Sequence, residues 1–590
     1  MCGIAGEIRK NSKKIDISTL EKMSRALMRR GPDGHGIWHE GSAGLVHRRL
    51  AIVDLSPAGA QPMISRDGRY VVTFNGEIFN YLELRSELSD ISFYSGSDTE
   101  VLLALYAKDG ESMLKKLRGM FSFAIWDTQE HALFFARDQI GKKPFFYTHN
   151  DESFIFASEI KALLSLESSV IDDESIKLFL GLQYVPSPKT GFKNIFSLEP
   201  GHCGTWRDGK LAIRSYVSPI LVEDPGFDRA AKNVRQLLEE SVRLRLIADV
   251  PIGIFLSGGV DSSAIAALAH AQGASLASFT LGFNERAFDE RDEAEGLAQH
   301  FGFEHHSFLA KPQDLLEVAD TVIDYYDAPY ADSSSLNTWI LARETKLFVK
   351  AVLTGDGGDE LFGGYRRYRY FSQALRLKNL GLSHITAQVA QSVGRILGDN
   401  RYERFAETLV GGYPSLFCSS YFLQPEAMNF IRERLNTQLD PVEAAMDFDL
   451  RSYLPDDLNV KMDRATMAHG LEARCPILDQ ELVAYVTQLP ASYRFQSHTM
   501  KPLLVEAVKD LLPSNVLRRP KRGFQVPLAA WFRGPLRSAF IERCIQSIKV
   551  QAYIPKSRIE QLLLENDRGV DHGNRLWMLY SLATWLQKYG

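Results

Sequence analysis

Residues 250–263 read VPIGIFLSGGVDSS, and this stretch decides the fold of the second half of the chain. Its first seven residues are apolar and predict a buried strand, and residues 262–272 continue with a helical pattern. Glycines at such a turn allow close backbone approach, serines add hydroxyl donors, and the helix start offers unpaired N–H groups to an anion. The stretch therefore predicts a cradle for phosphate.

The sequence on either side of this cradle alternates between strand and helix patterns. Further strands are predicted at residues 278–282 and 349–354, and a further helix at residues 291–301. Such alternation is typical of a parallel sheet covered by helices. Because roughly the final 220 residues have helical patterns, we predict an α/β domain with a mostly helical C-terminal part.

A second glycine-rich turn, TGDGGDELFGGY at residues 354–365, lies at the end of the later strand. It places three carboxylates and five glycines within eleven residues. A hard cation such as Mg²⁺ prefers carboxylate oxygens, and Mg²⁺ commonly binds together with substrate phosphates. The two turns together predict a site for ATP and Mg²⁺.

The first half of the chain has a different pattern, with short β-like stretches separated by Gly, Pro and Asn turns. Two helices are predicted, at residues 17–29 and 99–108, so we expect antiparallel sheets with flanking helices. Residues 204–211, GTWRDGKL, end in Leu where a phosphate loop needs a hydroxyl, and are predicted as a hairpin. The predicted strands lie at residues 44–53, 70–74, 120–126, 132–136, 145–147 and 154–158.

A polar stretch at residues 218–228 precedes a strong helical pattern at residues 230–246 and is the best candidate for a domain boundary. We therefore predict two domains, at residues 1–216 and 228–590. A chain of 590 residues exceeds what one hydrophobic core usually supports, which agrees with this division.

The composition narrows the class of protein. A net charge of −5 provides no basic field for a nucleic acid. No uncharged apolar run approaches the roughly 18 residues that predict a membrane span. The five cysteines are scattered, without a CxxC pair, which favours a reduced, cytoplasmic location. A soluble, compact enzyme or binding protein is the class that the composition predicts.

Cys2 directly follows the initiator methionine, whose removal leaves a residue with both a thiol and a free α-amino group. An α-amino group has a pKa of about 7.7–8.0 and can accept the thiol proton near neutral pH. This is the N-terminal-nucleophile form of covalent catalysis. A cysteine at position 2 carries little weight alone, so the interpretation depends on other segments of the same half.

Those segments closely resemble the class II glutamine amidotransferases, which implies the Ntn-hydrolase fold of stacked antiparallel sheets with helices. The resemblance implies that Cys2 attacks the side-chain amide of glutamine. It also implies that the Asn75 side chain and the Gly76 backbone N–H form the oxyanion hole. The segments are MCGI at 1–4, RGPD at 30–33, HRRL at 47–50, NGEIFN at 75–80, GSDTE at 96–100 and RD at 137–138.

The same resemblance assigns the residues that bind glutamine. Arg49 is the expected anchor of its carboxylate, because a guanidinium fork suits a carboxylate bidentately. Asp98, together with Glu77, is the expected partner of its α-ammonium group. The family order of all these segments makes a chance match improbable.

In the second half, the SGGVDSS turn resembles the pyrophosphate loop of ATP pyrophosphatases, and residues 354–365 resemble the SGEGSDEVFGGY-type motif of asparagine synthetases. Residues 471–479, LEARCPILD, match the EARxPxLD segment of that family, and residues 519–524 are RPKRGF. The resemblance implies that the following residues bind ATP: Leu256, Ser257, Gly258, Gly259, Asp261, Ser262, Ser263, Leu281, Thr354 and Gly355.

Catalytic and metal roles follow from the same resemblance. Asp261 and Asp359 are the implied Mg²⁺ ligands. Asp356 stands where archetypal enzymes carry a glutamate that supports the acyl-adenylate step. Lys521 occupies the position of the catalytic lysine and would neutralise charge on the α-phosphate and pyrophosphate.

The implied reaction is glutamine-dependent asparagine synthesis, in which ATP activates L-aspartate as an acyl-adenylate and ammonia displaces AMP. One departure leaves the acceptor open between aspartate and another acid, such as a sugar uronate or a peptidic carboxylate. Archetypal enzymes carry a Thr-x-x-Arg element where this chain reads APYADSSS at residues 328–335, with Asp332 in place of a cation. The oligomeric state also stays open, with a homodimer as one alternative.

Readings from other classes fit less well. A pure amidohydrolase needs no adenylation loop, a β-lactam synthetase-like enzyme typically lacks Cys2, and a non-catalytic interaction protein should show decay in one of the motifs. This chain keeps the motifs of both halves.

Overall fold

The computed structural model describes residues 2–10, 13–166, 169–218, 223–283, 289–397, 400–517 and 526–590. In this part of the chain no helix is long and apolar enough to cross a membrane.

The first half consists of two six-stranded antiparallel sheets with helices on their outer faces. The strand orders are β10-β8-β9-β1-β3-β2 and β12-β11-β7-β6-β5-β4. The strands are β1 Gly3–Arg9, β2 Gly34–Glu40, β3 Ala43–Arg49, β4 Met63–Ile64, β5 Tyr70–Ile78, β6 Gly119–Asp127, β7 Ala132–Arg137, β8 Phe146–His149, β9 Ser153–Ala157, β10 Phe196–Ser197, β11 His202–Arg207 and β12 Lys210–Ser215. The helices are α1 Ile17–Ala26, α2 Tyr81–Glu87, α3 Asp98–Asp109, α4 Ile160–Leu164 and α5 Asp173–Leu182, with short 3₁₀ turns at Pro57–Gly59 and Gly110–Lys115.

Alternating side chains explain how these layers pack. Ile4 and Leu45 of the first sheet share one buried cluster with Trp126 and Phe135 of the second sheet. Opposite faces of the same sheets contact α1 and α3. A strand whose successive side chains point to opposite faces can thus bury both, which produces the helix–sheet–sheet–helix layering.

The second half is built on a five-stranded sheet, all parallel, in the order β15-β14-β13-β16-β17. Its strands are β13 Ile252–Phe255, β14 Ala277–Gly282, β15 Glu304–Leu309, β16 Ala351–Leu353 and β17 Glu472–Arg474. Helices α6 Phe227–Arg245, α7 Val260–Ala271, α8 Arg291–Phe301, α9 Pro312–Tyr326, α10 Ser334–Thr345 and α11 Gly358–Phe362 accompany this sheet.

The remaining helices form the C-terminal part. They are α12 Arg366–Asn379, α13 Ser383–Leu397, α14 Asn400–Cys418, α15 Pro425–Arg434, α16 Pro441–Phe448, α17 Asn459–Met467, α18 Gln480–Gln488, α19 Ala491–Arg494, α20 Pro502–Val508, α21 Ser514–Leu517, α22 Leu528–Arg533, α23 Arg537–Phe540, α24 Ile548–Gln551, α25 Lys556–Asp567 and α26 Gly573–Tyr589. Asp449–Leu458 and Ile541–Ile545 are π-helical, and Pro476–Leu478 is a 3₁₀ turn.

The predicted fold class is confirmed in both halves. The hairpin predicted at residues 204–211 is present as β11 and β12. Several bounds and elements differ from the sequence patterns. The strand predicted at residues 44–53 ends at Arg49, and the mostly helical C-terminal part contributes β17, which pairs with β16 and completes the sheet.

Candidate active site

The first candidate site surrounds Cys2, immediately before β1. The Cys2 side chain is buried, with 7% of the residue exposed, and its Sγ lies 3.9 Å from the carbonyl oxygen of Leu50. Burial raises the pKa of the Cys2 thiol. The backbone nitrogen of Cys2, which becomes the α-amine once the methionine is removed, donates to Oδ1 of Asn75 at 3.0 Å. Cys2 therefore carries both a protonated thiol and the nitrogen that can act as its base, and Asn75 of β5 holds this nitrogen in place.

Asn75 and Gly76 lie next to each other on β5, in the sheet opposite β1. Asn75 is fully buried, and among the described residues its Nδ2 has no hydrogen-bond partner. A buried amide donor without a partner costs free energy, so it marks a place where a ligand acceptor would be stabilised. Gly76 packs against β6 so closely that a Cβ would lie 2.2 Å from the carbonyl oxygen of Met120.

The residues predicted to bind glutamine line the same small cavity, of about 20 Å³, as Cys2 and Gly76. Arg49, the last residue of β3, donates from Nη1 to the carbonyl oxygen of Ser56 at 2.9 Å, and Nη2 donates to the carbonyl oxygen of Asp54. These carbonyl contacts fix the guanidinium group at the cavity wall.

Two acidic side chains, those of Glu77 and Asp98, also line that cavity. Asp98 begins α3, and its Oδ2 accepts from the backbone N–H of Ile78 at 2.9 Å. Burial raises the pKa of Asp98 to about 6. Burial and the nearby charges of Glu472 and Asp98 raise the pKa of Glu77 well above its usual range. The two carboxyl groups are thus poorly compensated until a cation approaches.

Residues from the second half of the chain reach this first site. Arg474 of β17 is fully buried, donates from Nε to Glu472 Oε1 at 2.6 Å and lies 3.7 Å from Glu77 Oε1. Arg30 donates from Nε to the carbonyl oxygen of Cys2 at 3.0 Å and pairs with Asp463 of α17 at 2.8 Å. The sequence motifs included the segments of Arg30 and Arg474. They did not predict the pairing of Arg30 with Asp463 or of Arg474 with Glu77, because these partners are hundreds of positions apart in the chain.

The second candidate site is the turn between β13 and α7. Ser257 Oγ and Ser262 Oγ are 2.9 Å apart, and the N–H of Gly259 donates to Ser257 Oγ at 3.2 Å. Ser263 Oγ donates to the carbonyl oxygen of Gly259 at 2.7 Å. These bonds curve residues 257–263 around the first turn of α7, whose helix dipole attracts anions.

The acidic turn at residues 354–364 packs against this first turn. A Cβ on Gly355 would lie 2.7 Å from the backbone nitrogen of Ser262, and one on Gly358 would lie 2.4 Å from Asp261 Oδ1. Thr354 donates from Oγ1 to Asp356 Oδ2 at 2.7 Å. The two predicted phosphate-site turns therefore meet, because β13 and β16 are parallel neighbours and their carboxyl ends share one edge.

Two apolar residues predicted to line the nucleotide pocket also lie at this edge of the sheet. Leu256 follows β13, and its N–H donates to the carbonyl oxygen of Phe279 on the neighbouring β14 at 2.9 Å. Leu281 lies two residues further along β14. Both leucines are buried.

Lys501 is a central residue of this second site that the sequence analysis missed. Its Nζ pairs with Asp359 Oδ1 at 2.7 Å and with Asp261 Oδ2. Burial lowers the pKa of Lys501, but the two carboxylates outweigh it and the net pKa is raised. Lys501 has a left-handed backbone (φ 50°) just before α20, and no sequence motif that we recognised singled it out. Lys521, the lysine that the motif predicted, lies outside the described residues.

The residues present fit a divalent cation only in part. Among the described residues no group of three or more His, Cys, Asp or Glu side chains could hold a metal ion. Asp261 and Asp359 do approach the same Lys501 Nζ, so two hard oxygen donors converge. Protein Mg²⁺ sites often use one or two carboxylates and take further oxygens from phosphate and water, and this donor set suits that arrangement.

Asp332, which replaces the expected cation, has a partly buried cationic partner. Lys461 of α17 lies 3.2 Å from Asp332 Oδ2 and donates to Ser334 Oγ at 3.0 Å. Asp457 lies in the π-helical segment just before α17. Burial raises the pKa of Asp457 well above its usual range, and the charge of Asp332 adds to this shift. The sequence identified Asp332 but gave no sign of Lys461.

The two candidate sites lie in two halves of the chain, and each half matches a different family model. The glutamine amidotransferase domain model matches residues 1–217, and the asparagine synthase model matches residues 233–587. The chain belongs to the asparagine synthase family.

Similar curated proteins agree with this membership. Glutamine-hydrolysing asparagine synthetase 1 of Bacillus subtilis is 33% identical over 99% of this chain and 96% of its own length. A putative glutamine-hydrolysing asparagine synthetase of Mycobacterium tuberculosis is 34% identical over 96% of this chain and 93% of its own length. Amidase chry2 of Gibberella zeae is 28% identical over 92% of this chain and 89% of its own length. Glutamine-dependent amidation is therefore the activity of this chain at the level of the family.

Proposed function

We propose that the first site is the glutaminase, carried by residues 1–216, and that the second is the ATP-dependent synthetase, carried by residues 228–590. The main support for the glutaminase is Asn75, which lies next to Cys2 and is buried. Its Nδ2 has no hydrogen-bond partner among the described residues. The Cys2 thiol adds to the amide carbon of glutamine after passing its proton to the α-amine. The C–N bond then breaks, the amine returns the proton to the leaving ammonia, and water hydrolyses the thioester to glutamate.

The oxyanion of the tetrahedral intermediate would accept hydrogen bonds from Asn75 Nδ2 and from the N–H of Gly76. Each such donor is worth roughly 2.7–4 kcal/mol of transition-state stabilisation. Arg49 would hold the carboxylate of glutamine, and Asp98 with Glu77 would hold its ammonium group. The ammonium group would bring a cation next to two buried acids, whose pKa values are raised by burial.

In the synthetase, the acceptor carboxylate would attack the α-phosphorus of ATP, and the bond to the β-phosphate would break to release PPi. Residues 257–263 would cradle the phosphates, and the adenosine would bind between Leu256, Leu281 and residues 354–355. Asp261 and Asp359 would hold Mg²⁺, which supplies charge neutralisation of the phosphates when bound. Lys501, already held by both acids, and Lys521 would stabilise the leaving pyrophosphate.

Ammonia would then add to the acyl carbon, the bond to AMP would break, and one proton would be released. We assign Asp356 to this adenylate step because it lies in the turn that contacts the phosphate cradle and shares a hydrogen bond with Thr354. Water must be excluded so that the adenylate is not hydrolysed.

The ammonia path would run between the halves of the molecule. A cavity of about 60 Å³ is lined by Arg137 and Lys142 of the first half and by Asn459, Asp463 and Arg464 of the second. Asp463 also pairs with Arg30, whose Nε contacts the carbonyl oxygen of Cys2. Burial lowers the pKa of Lys142 to about 8, so this lysine gives up its proton more readily than an exposed lysine does.

The acceptor that we propose is L-aspartate, which gives asparagine. The neighbouring charges of Asp332 and Lys461 complement the α-ammonium and α-carboxylate of an amino acid, so their ion pair would open to bind both groups. Lys461 would thus supply the cation that the arginine of the Thr-x-x-Arg element supplies in archetypal enzymes. The relatives named asparagine synthetases support the same acceptor.

Initial rates of PPi release decide the acceptor. With ATP, Mg²⁺ and ammonium chloride, aspartate should support PPi release, and mass spectrometry should detect asparagine. Asp332→Asn should raise the KM for aspartate about tenfold or more, since an ionic contact is lost, while the KM for ATP is unchanged. Asp228→Asn, on the exposed start of α6, is the matched control and should behave as wild type. PPi release with other acids and none with aspartate would refute the acceptor and leave the adenylate chemistry intact.

A further inference from the structure

A cavity of about 720 Å³ lies beside the synthetase site, between α12, α14 and the segment that follows α14. We call it the arginine–tyrosine cavity. Of its lining residues, Tyr365 alone belongs to the two phosphate-site turns, as the last residue of the turn at residues 354–365. Its lining includes Arg367, Arg404, Tyr370, Tyr402, Tyr421 and Tyr453.

The size of this cavity exceeds what a free amino acid needs. Ligand pockets for larger small molecules commonly measure about 300–1,000 Å³. Aspartate would fill only the inner position between Asp332 and Lys461. The volume therefore suits an acceptor whose body extends well beyond its reacting carboxylate.

Hydrogen bonds connect the arginine–tyrosine cavity to that inner acceptor position. Tyr421 donates from its hydroxyl to Gln183 Oε1 at 2.6 Å, and Gln183 Nε2 donates to Asp457 Oδ2 at 2.5 Å. Asp457 lies close enough to Lys461 for its charge to act on that lysine. On the other side, the hydroxyl of Tyr365 donates to Glu360 of the acidic turn. The cavity is thus joined to the proposed inner acceptor position through two side chains, Gln183 and Asp457.

The charge of the lining selects for anions. Four guanidinium groups line the cavity and, in the described part of the chain, no carboxylate side chain does. Arg367 is held from behind by Asp449 at 2.7 Å, whereas Arg404 has no ion-pair partner among the described residues. Guanidinium groups bind phosphate and carboxylate through paired N–H donors.

The aromatic side chains add a second preference. Arg367 lies over the ring of Tyr453 at 4.7 Å and over that of Tyr365 at 4.1 Å, which orders this wall. Tyr370 and Tyr402 are 46% and 39% exposed and present ring faces and hydroxyls. Such a wall suits a sugar or aromatic ring, because tyrosine offers an apolar face together with a hydrogen-bonding tip.

We propose that the arginine–tyrosine cavity is an outer acceptor subsite, and that the enzyme amidates a second class of acceptor besides aspartate. This class comprises carboxylic acids whose body carries a ring and a phosphate or further carboxylate. The proposal rests on the synthetase function proposed above. The chemistry is unchanged: the acceptor carboxylate takes AMP from ATP with loss of PPi, and ammonia displaces AMP with release of one proton.

The test uses the full chain with ATP, Mg²⁺ and ammonium chloride, and compares PPi release with three acids. UDP-glucuronate is the ring-bearing polyanion, D-glucuronate is the same acid without phosphates, and L-aspartate reports the inner position. We expect kcat/KM for UDP-glucuronate to exceed that for D-glucuronate by tenfold or more, and the product to be the uronamide.

Variants of the cavity wall separate the subsite from the rest of the enzyme. Arg404→Ala should lower kcat/KM for UDP-glucuronate about tenfold or more and leave that for aspartate unchanged, since a charge-assisted contact is lost. Arg432→Ala, on the exposed face of α15, is the matched control. If Arg404→Ala loses aspartate turnover through misfolding, Ser420→Phe, which narrows the cavity without removing a cation, should give the same selective loss.

Each outcome is decisive. Aspartate turnover without UDP-glucuronate turnover, or inhibition by UDP-glucuronate that is purely competitive with ATP, overturns the subsite and leaves the proposed function standing. Equal UDP-glucuronate turnover in wild type and in the folded wall variants also overturns it. PPi release with none of the three acids refutes the synthetase proposal itself.

Discussion

Replacing Asn75 by alanine tests the proposed oxyanion hole most sharply. Nδ2 of Asn75 is buried and has no partner among the described residues, so no existing bond must break when it donates to an oxyanion. We therefore expect the full value of one such donor, roughly 2.7–4 kcal/mol, or a loss of about 10²–10³ in kcat for glutamine hydrolysis. The KM for glutamine should change little, because its carboxylate and ammonium partners are intact.

Asn75→Asp separates two roles of this side chain. Aspartate keeps an oxygen that can accept from the Cys2 nitrogen, as Oδ1 does at 3.0 Å, but lacks the Nδ2 donor. Both variants should lose glutaminase and keep ammonia-driven PPi release. A loss of less than about tenfold in Asn75→Ala, or an equal loss with ammonium chloride as nitrogen source, would refute the oxyanion role.

The remaining predictions concern both sites. Cys2→Ala should abolish glutamine hydrolysis, measured as glutamate release, and spare ammonia-driven amidation; equal losses would contradict separate sites. Lys501→Met should lower PPi formation by about 10²-fold or more and spare glutaminase, because Asp261 and Asp359 lose their shared cation. Lys509→Met, at an exposed lysine, is the control. Normal PPi formation in Lys501→Met would exclude a role of Lys501 in stabilising pyrophosphate. Burial raises the pKa of Asp98 to about 6, so the Asp98 carboxylate becomes protonated and loses its negative charge below that pH. The KM for glutamine should therefore rise as the pH falls from 7 to 5, because the ammonium group of glutamine loses its ionic partner. Asp98→Asn should have a high KM at every pH, and a wild-type KM independent of pH would speak against the ion pair.

Much of this architecture follows from local sequence patterns. The apolar stretch before SGGVDSS predicts a buried strand, and β13 is formed there, with α7 starting at Val260. Helix α8 has the bounds that its pattern predicted. Such elements are predictable because hydrophobic periodicity and glycine turns act over a few neighbouring residues. The sequence also assigned the two glycine-rich turns to one site for ATP and Mg²⁺, and the structure brings these turns together at one sheet edge.

The electrostatic partners were not predictable in the same way. Lys501 reaches Asp261 and Asp359 from a distant helical region through an unusual backbone conformation. Lys461 balances Asp332 across a separation of 129 residues. No local pattern encodes such pairs, because only the packed tertiary structure brings the charges together and excludes water from them. The roles of the site residues remain predictions for the experiments above.

The central claim is that nitrogen from glutamine reaches a carboxylate that ATP has activated as an adenylate. Amide-¹⁵N glutamine, ATP, Mg²⁺ and aspartate in one reaction test it directly, with ³¹P NMR for the nucleotide products and mass spectrometry for the amide. The account predicts ¹⁵N-labelled asparagine with AMP and PPi formed in equal amounts, and little dilution of the label by added unlabelled ammonium. ADP and phosphate as products, or glutamine hydrolysis with no label in any amide, would contradict it.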